Sequence, residues 1–260
     1  MKLGVSYNVF DSEEHLEGSI KQIRNSVDFI SVVYQKTSNF GDKCNETLEK
    51  LLLDLKNKSL VDELLEYHPL SGVSPHVNEV NKRNIGLVLS KSNGCTHHMS
   101  MDSDEYYKEQ EFNYVKKIML EGDYDSSACQ MSTYYKEPIY RLDPKEEYYV
   151  SLIFKIRPDV SYVFANKFPV LTDPTRSMHA GSFRSFSREE IEMHHMSFVR
   201  LDVAKKLNNS SAKINFDRFI PEFLEYFKNW SHGMKAITPG KPPAEYDTIL
   251  VDNIFNINIK

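Results

Sequence analysis

The sequence predicts an α/β protein: a mostly parallel sheet flanked by helices, with a smaller β-rich and helical part towards the carboxyl end. Three observations predict it. Over the first hundred residues, short apolar strand-like runs alternate with amphipathic segments, the pattern of a parallel sheet with right-handed crossovers. Beyond residue 110, prolines at 138, 144, 158, 169 and 174 punctuate aromatic stretches, which suits short strands and loops. The composition, 40% hydrophobic and 27% charged over 260 residues, is that of a globular chain with apolar area for one large core.

Taken in order, Lys2–Val9 alternates apolar and polar residues as a strand does. Asp11-Ser12-Glu13-Glu14 then opens a helix carrying Leu16, Ile20 and Ile23, with acids in the first turn where the helix dipole favours them. Phe29–Tyr34 is a β-branched apolar run and reads as a buried strand, followed by a loop over Gln35–Lys43. Glu46–Lys58 is helical by its leucine stripe, and Val61–Tyr67 is a weaker strand ended by His68-Pro69. A helix over Val77–Asn93 is expected to turn Val77, Val80, Ile85, Val88 and Leu89 inward and to stop at Gly94. Cys95–Met101 extends as a strand into Asp102-Ser103-Asp104, and Tyr106–Leu120 reads as the next helix. Strands are expected at Ser126–Tyr135, Glu147–Ile156 and Ser161–Ala165, a Lys-rich helix after Arg200, and a helix over Phe216–Trp230. The tail is Pro/Gly-rich over Thr238–Ala244 and hydrophobic over Ile249–Ile259.

Composition also excludes functions. Thirty-two basic against 37 acidic residues give a net charge of −5. With an isoelectric point near 6.0 and no dominant basic face, nucleic acid is not an expected partner. Cys44, Cys95 and Cys129 form no CxxC pair and read as reduced thiols. No run is long enough to span a bilayer, and no apolar leader is apparent, so a cytoplasmic protein is expected.

The chemistry concentrates at Asp102-Ser103-Asp104. Two carboxylates follow an apolar strand at what would be the carboxyl edge of the sheet, where open α/β sheets bind ligands. Their oxygens are hard donors suited to Mn²⁺ or Mg²⁺, ions usually shared with substrate phosphates. A solvated acidic turn before the next helix is the plain alternative. Position favours a site, because Lys82-Arg83-Asn84 lies on the preceding helix.

Three runs carry a family resemblance: Lys82-Arg83-Asn84-Ile85-Gly86-Leu87, Asn93-Gly94-Cys95-Thr96-His97, and Met101-Asp102-Ser103-Asp104-Glu105-Tyr106. With Gly4–Asn8 they resemble nucleotide-sugar glycosyltransferases of the GT-A fold, in the family-2-like group that carries a DxD motif. The likeness covers about residues 1–110, and Met193–Arg200 is similar to the late His-containing element of many such enzymes. It implies a nucleotide-sugar-binding half over 1–110 and an acceptor-side half over 111–260. It also implies a divalent cation at the DxD, a nucleoside-diphosphate-sugar donor and a glycan or lipid-linked acceptor.

On that resemblance, Ser6, Tyr7 and Asn8 are candidates for the nucleoside, with Gln35, Ser38 and Asn39 beside them. Arg83, Asp102, Ser103 and Asp104 would face the diphosphate. Alternation over Glu192–Val199 lets one of His194 and His195 enter a site. Met193, His195 and Ser197 share the more polar face, so His195 joins Asp102 and Asp104 as the expected metal ligand. For a catalytic base, Asp173, Glu189, Glu190 and Glu192 all stand open, with Asp173 and Glu192 foremost. Membrane contact is at most peripheral, through Lys205-Lys206 and the stripe Phe216, Phe219, Phe223, Phe227, which reads more simply as a core-facing helix. A sugar-phosphate nucleotidyltransferase and a non-catalytic carbohydrate-binding scaffold are the alternatives. The first is disfavoured by the scarcity of glycine near the first strand.

Overall fold

A computed structural model of the chain describes residues 1–164 and 167–259. In chain order the strands and helices are β1 (Leu3–Val9), α1 (Glu13–Ile23), β2 (Phe29–Tyr34), α2 (Thr47–Asn57), β3 (Glu63–Glu66), α3 (Pro75–Ser92) and β4 (His97–Asp102). There follow β5 (Glu105–Tyr106), α4 (Glu109–Glu121), β6 (Ser126–Tyr135), β7 (Tyr140–Asp143), β8 (Tyr149–Lys155), β9 (Phe183–Phe186) and β10 (Met193–Phe198). The chain then forms α5 (Val203–Asn209), α6 (Ile220–Asn229), β11 (Ala236–Thr238) and β12 (Ala244–Leu250).

The fold is mixed α/β. β3, β2, β1 and β4 lie side by side and parallel, and the sheet continues through antiparallel β8 and β6 to β7, β12 and β11. One sheet therefore runs through both halves of the sequence. β10 returns to pair parallel with β6 and antiparallel with β5. Tyr106, expected to open a helix, belongs to β5 because His194 across from it fixes an extended backbone there. Of the expected strand Ser161–Ala165 there remains one bridge, Val163 to Ser177; Ala165 lies outside the described residues.

One face of the parallel strands is apolar. Leu3, Val5 and Tyr7 of β1 pack with Leu16 and Ile20 of α1, Leu48 and Leu52 of α2, and Phe112 and Val115 of α4. A second cluster joins Tyr135, Phe198, Phe223, Phe227 and Trp230, so most of the aromatic stripe of α6 is core; Phe219 alone of it is well exposed.

The phase of α3 differs from expectation. Val77 and Val88 face solvent, and the buried residues are Asn78, Lys82, Arg83, Gly86, Leu87 and Ser90. The reason is local. Gly86 lies directly over Ser6, whose Oγ would be 2.1 Å from an added Cβ, so helix and strand approach with almost nothing between them. Ser90 Oγ meets His98 Nδ1 at 2.8 Å, so polar pairing replaces apolar packing along this face. The helix stops as expected, with Gly94 at φ +69° just past its end. Among the described residues no helix is long and apolar enough to cross a membrane.

Candidate active site

β1, β2 and β4 end together, with Asn8 in register with both Val33 and Asp102. Beyond them opens a cleft of about 560 Å³, at the carboxyl edge where parallel sheets bind ligands. Asn8, Gln35, Ser38 and Asn39 line one arm of it with His76, Glu79 and Lys82. Here Gln35 Oε1 accepts from Lys82 Nζ at 2.6 Å, and Gln35 Nε2 donates to Asn39 Oδ1 at 3.1 Å. Glu79 accepts from Asn39 and pairs with Lys82, closing a ring that fixes all four side chains. Asn8 is different. It is 7% exposed, yet among the described residues neither atom of its amide has a hydrogen-bond partner. An amide so placed at the cleft wall can bond a ligand or water within it.

Ser6 and Tyr7 do not line the cleft. Strand alternation sends Tyr7 into the core, where its hydroxyl meets Ser19 Oγ at 3.1 Å, and Ser6 is covered by Gly86.

Asp102, Ser103, Asp104 and Glu105 form the floor. Asp102 is bonded by Arg83 and Arg176. Burial acts to raise its carboxyl, and Arg176 and Arg83 overcome that, holding it at about 2. Asp104 is buried, but Lys206, Arg200 and His195 hold it well below the usual carboxylate range. Its Oδ2 accepts from Arg200 Nη2 and from Lys206 Nζ, the latter at 3.0 Å. Glu105 pairs with Arg176, but burial dominates and pushes its carboxyl up. Arg200, Lys206 and Glu105 were not among the cleft residues expected from sequence; Lys206, considered there for a membrane surface, lines the cleft. Nothing in their local sequence marks them; only the fold brings cations from residues 82 to 206 to one floor.

Met193, His195 and Ser197 of β10 face the cleft, with His195 Nε2 3.6 Å from Asp104 Oδ2. His194 points away, bonding Tyr134 at 2.8 Å and packing on Phe255. Asp173 also lines the cleft, its side chain 39% exposed. Its Oδ1 accepts from the Thr175 backbone and hydroxyl, while Oδ2 stands 3.8 Å from Arg83 and 3.9 Å from Arg176. Glu192 lies outside the cleft: one residue before β10, it is clamped by Lys145 and Arg188, while its neighbour Met193 faces the cleft. Glu190 is held by Arg184, and Glu189 is exposed on the same turn.

Among the described residues, no three His, Cys, Asp or Glu side chains are grouped so as to hold a metal ion by themselves. The charge of the cleft nonetheless suits a cation shared with a ligand. Asp11, Glu79, Asp102, Asp104, Glu105 and Asp173 face it, against Lys82, Arg176, Arg200 and Lys206 with Arg83 behind Asp102. A diphosphate would bring negative charge to a site with no positive surplus. Asp102 and His195 keep open faces, their side chains 38% and 23% exposed, and phosphate oxygens would complete the coordination such an ion prefers.

No protein-family model matches the chain, and neither does any curated protein. Among solved structures it is similar to S. aureus TarS 1–349, at 14% identity over 88% of this chain and 72% of that one, with a TM-score of 0.48. TarS 1–349 in complex with UDP-GlcNAc gives 14% identity over 88% and 73% at TM-score 0.47, and its complex with UDP 14% over 89% and 73% at 0.44. Likenesses as loose as these transfer no function.

Proposed function

We propose that the chain is a glycosyltransferase of the GT-A type, moving a sugar from a nucleoside-diphosphate-sugar to a hydroxyl of a glycan or lipid-linked acceptor. The observation that carries this reading is the cleft floor itself. Asp102 and Asp104, banked by buried cations, end a parallel strand beside the unpartnered amide of Asn8. Acid and cation together suit a diphosphate, and a buried amide pair suits the edge of a base.

In this reading Asn8, with Gln35 and Asn39, binds the nucleoside, and the floor binds the diphosphate. Asp173, whose Oδ2 carries no hydrogen bond from the described residues, takes the proton of the acceptor hydroxyl as its oxygen bonds the anomeric carbon. The bond from that carbon to the β-phosphate breaks, its electron pair staying on the phosphate oxygen. Mn²⁺ or Mg²⁺ held by Asp102, Asp104, His195 and phosphate oxygens would supply Lewis-acid stabilisation of the departing diphosphate.

Titration calorimetry with UDP, GDP, CDP and dTDP, with and without Mn²⁺, tests the reading. One nucleotide is expected to bind, and more tightly with the ion. Binding of none would overturn the reading. Turnover of a nucleoside triphosphate and a sugar phosphate to pyrophosphate would replace it with a nucleotidyltransferase.

A further inference from the structure

The cations of the cleft are not equally committed. Arg83 donates to Ser100 and Asp102, Arg176 is shared between Asp102 and Glu105, and Lys82 is held by Gln35 and Glu79. Arg200 is fixed by Ser12, Asp11 and Asp104. These four side chains are at most 5% exposed, whereas that of Lys206 is 19% exposed. Its ammonium bonds Asp104 Oδ2 at 3.0 Å and the Ser197 carbonyl at 2.9 Å, with the Ser197 hydroxyl as third acceptor. Asp104 is therefore paired twice. If Lys206 turned away, Arg200 would still neutralise the carboxylate, so no bare buried charge would result. A four-carbon stem ending in a rotatable ammonium suits such a turn better than a guanidinium fork.

We propose that Lys206 is the cation of the leaving group: on donor entry its ammonium turns from Asp104 Oδ2 to the diphosphate oxygens. There it stabilises the charge that collects as the bond from the anomeric carbon to the β-phosphate oxygen breaks. It donates hydrogen bonds and gives up no proton; the acceptor's proton goes to Asp173. This rests on the glycosyltransferase reading. Lys205 is a built-in control, since it bonds Asn45 at 2.5 Å and does not line the cleft.

The experiment compares wild type, Lys206→Met, Lys206→Arg and Lys205→Met by calorimetry in Mg²⁺. The ligands are inorganic pyrophosphate, the best nucleoside diphosphate of the panel and its free nucleoside. Lys206→Met is expected to weaken pyrophosphate and nucleotide binding by about tenfold to a hundredfold, the scale of a lost charge-assisted contact, and to leave the nucleoside unaffected. Lys206→Arg should recover most of the loss, and Lys205→Met should match wild type. Should Lys206→Met not fold, the Lys206 ammonium signal of the wild-type protein, assigned by its absence in Lys206→Arg, is followed by NMR. It is expected to shift when pyrophosphate is added. Equal nucleotide affinity in Lys206→Met, or an unmoved signal, overturns the role of Lys206 alone. A wild-type protein that binds no nucleoside diphosphate overturns the glycosyltransferase reading and this role with it.

Discussion

Replacing Gly86 by alanine should unsettle the protein more than a single methyl group suggests. The new Cβ would lie 2.1 Å from Ser6 Oγ and 2.4 Å from Ser6 Cβ. Non-bonded carbons settle at roughly 3.5–4.0 Å, so the second contact is short by about 1 Å or more. Rotating the serine relieves the first clash but not the second, because Ser6 Cβ is fixed to the β1 backbone. The helix must lift. Overpacking of this kind costs about 1–3 kcal/mol, and the severity of the clash places it near the top. Alanine returns about 1 kcal/mol through its helix propensity, leaving a net loss of about 2 kcal/mol. Lys82 and Arg83 ride on the same helix, so nucleotide affinity should fall as well. Urea titration gives the stability and calorimetry the affinity. The Ser6→Gly/Gly86→Ala pair should recover much of both, as a double-mutant cycle would show. Gly86→Ala as stable as wild type, or more so, would refute the account of this interface.

Other outcomes follow from the same contacts. Asn8→Ala should leave stability from urea titration within about 0.5 kcal/mol of wild type, since its amide bonds nothing among the described residues, yet weaken nucleotide binding by about 1–3 kcal/mol. A large stability loss with unchanged affinity would count against its role. Arg176→Gln strips the buried Glu105 of its cation and should cost about 3–5 kcal/mol, read as a lowered urea midpoint. His194 is held neutral, its pKa lowered by burial from 6.5 to about 4, so the unfolded chain takes up its proton first. Its contribution is intact above pH 6.5 and is lost as pH falls towards 4, with a limiting slope of about 1.4 kcal/mol per pH unit. His194→Gln should flatten that part of the stability profile, and an unchanged slope would show that His194 does not cause it.

The parallel half of the fold was legible because its signals are local. The apolar run Phe29–Tyr34 and the leucines of α2 report their own burial without reference to the rest of the chain. α3 was misphased because its buried face is polar: the valines that mark an inward stripe elsewhere point to solvent here. β5 was harder, since Glu105–Tyr106 is extended only because residues some ninety positions later lie against it. The site divides the same way. Asp102 and Asp104 announce themselves as a motif at a strand end. Arg200 and Lys206 do not, because they look like ordinary basic residues until the chain returns. Tyr7 lies in the core, as alternation with Val5 and Val9 points it. Glu192 likewise sits one position from the face that enters the cleft.

The counter-ions of Asp104 lie 96 and 102 residues beyond it along the chain. A ribosome therefore delivers the carboxylate long before it delivers Arg200 and Lys206. An emerging chain that has completed β1 to β4 has the parallel pairings of β3, β2, β1 and β4, but it holds a carboxylate that cannot enter the interior unaccompanied. The early sheet is obliged to stay wet at its carboxyl edge, and β4 to keep a bare flank until β8 is made. Dehydration of the cleft and closure of the sheet by β10 thus become late events in biosynthesis, and a transcript truncated before codon 206 would yield a chain whose cleft floor stays open to water.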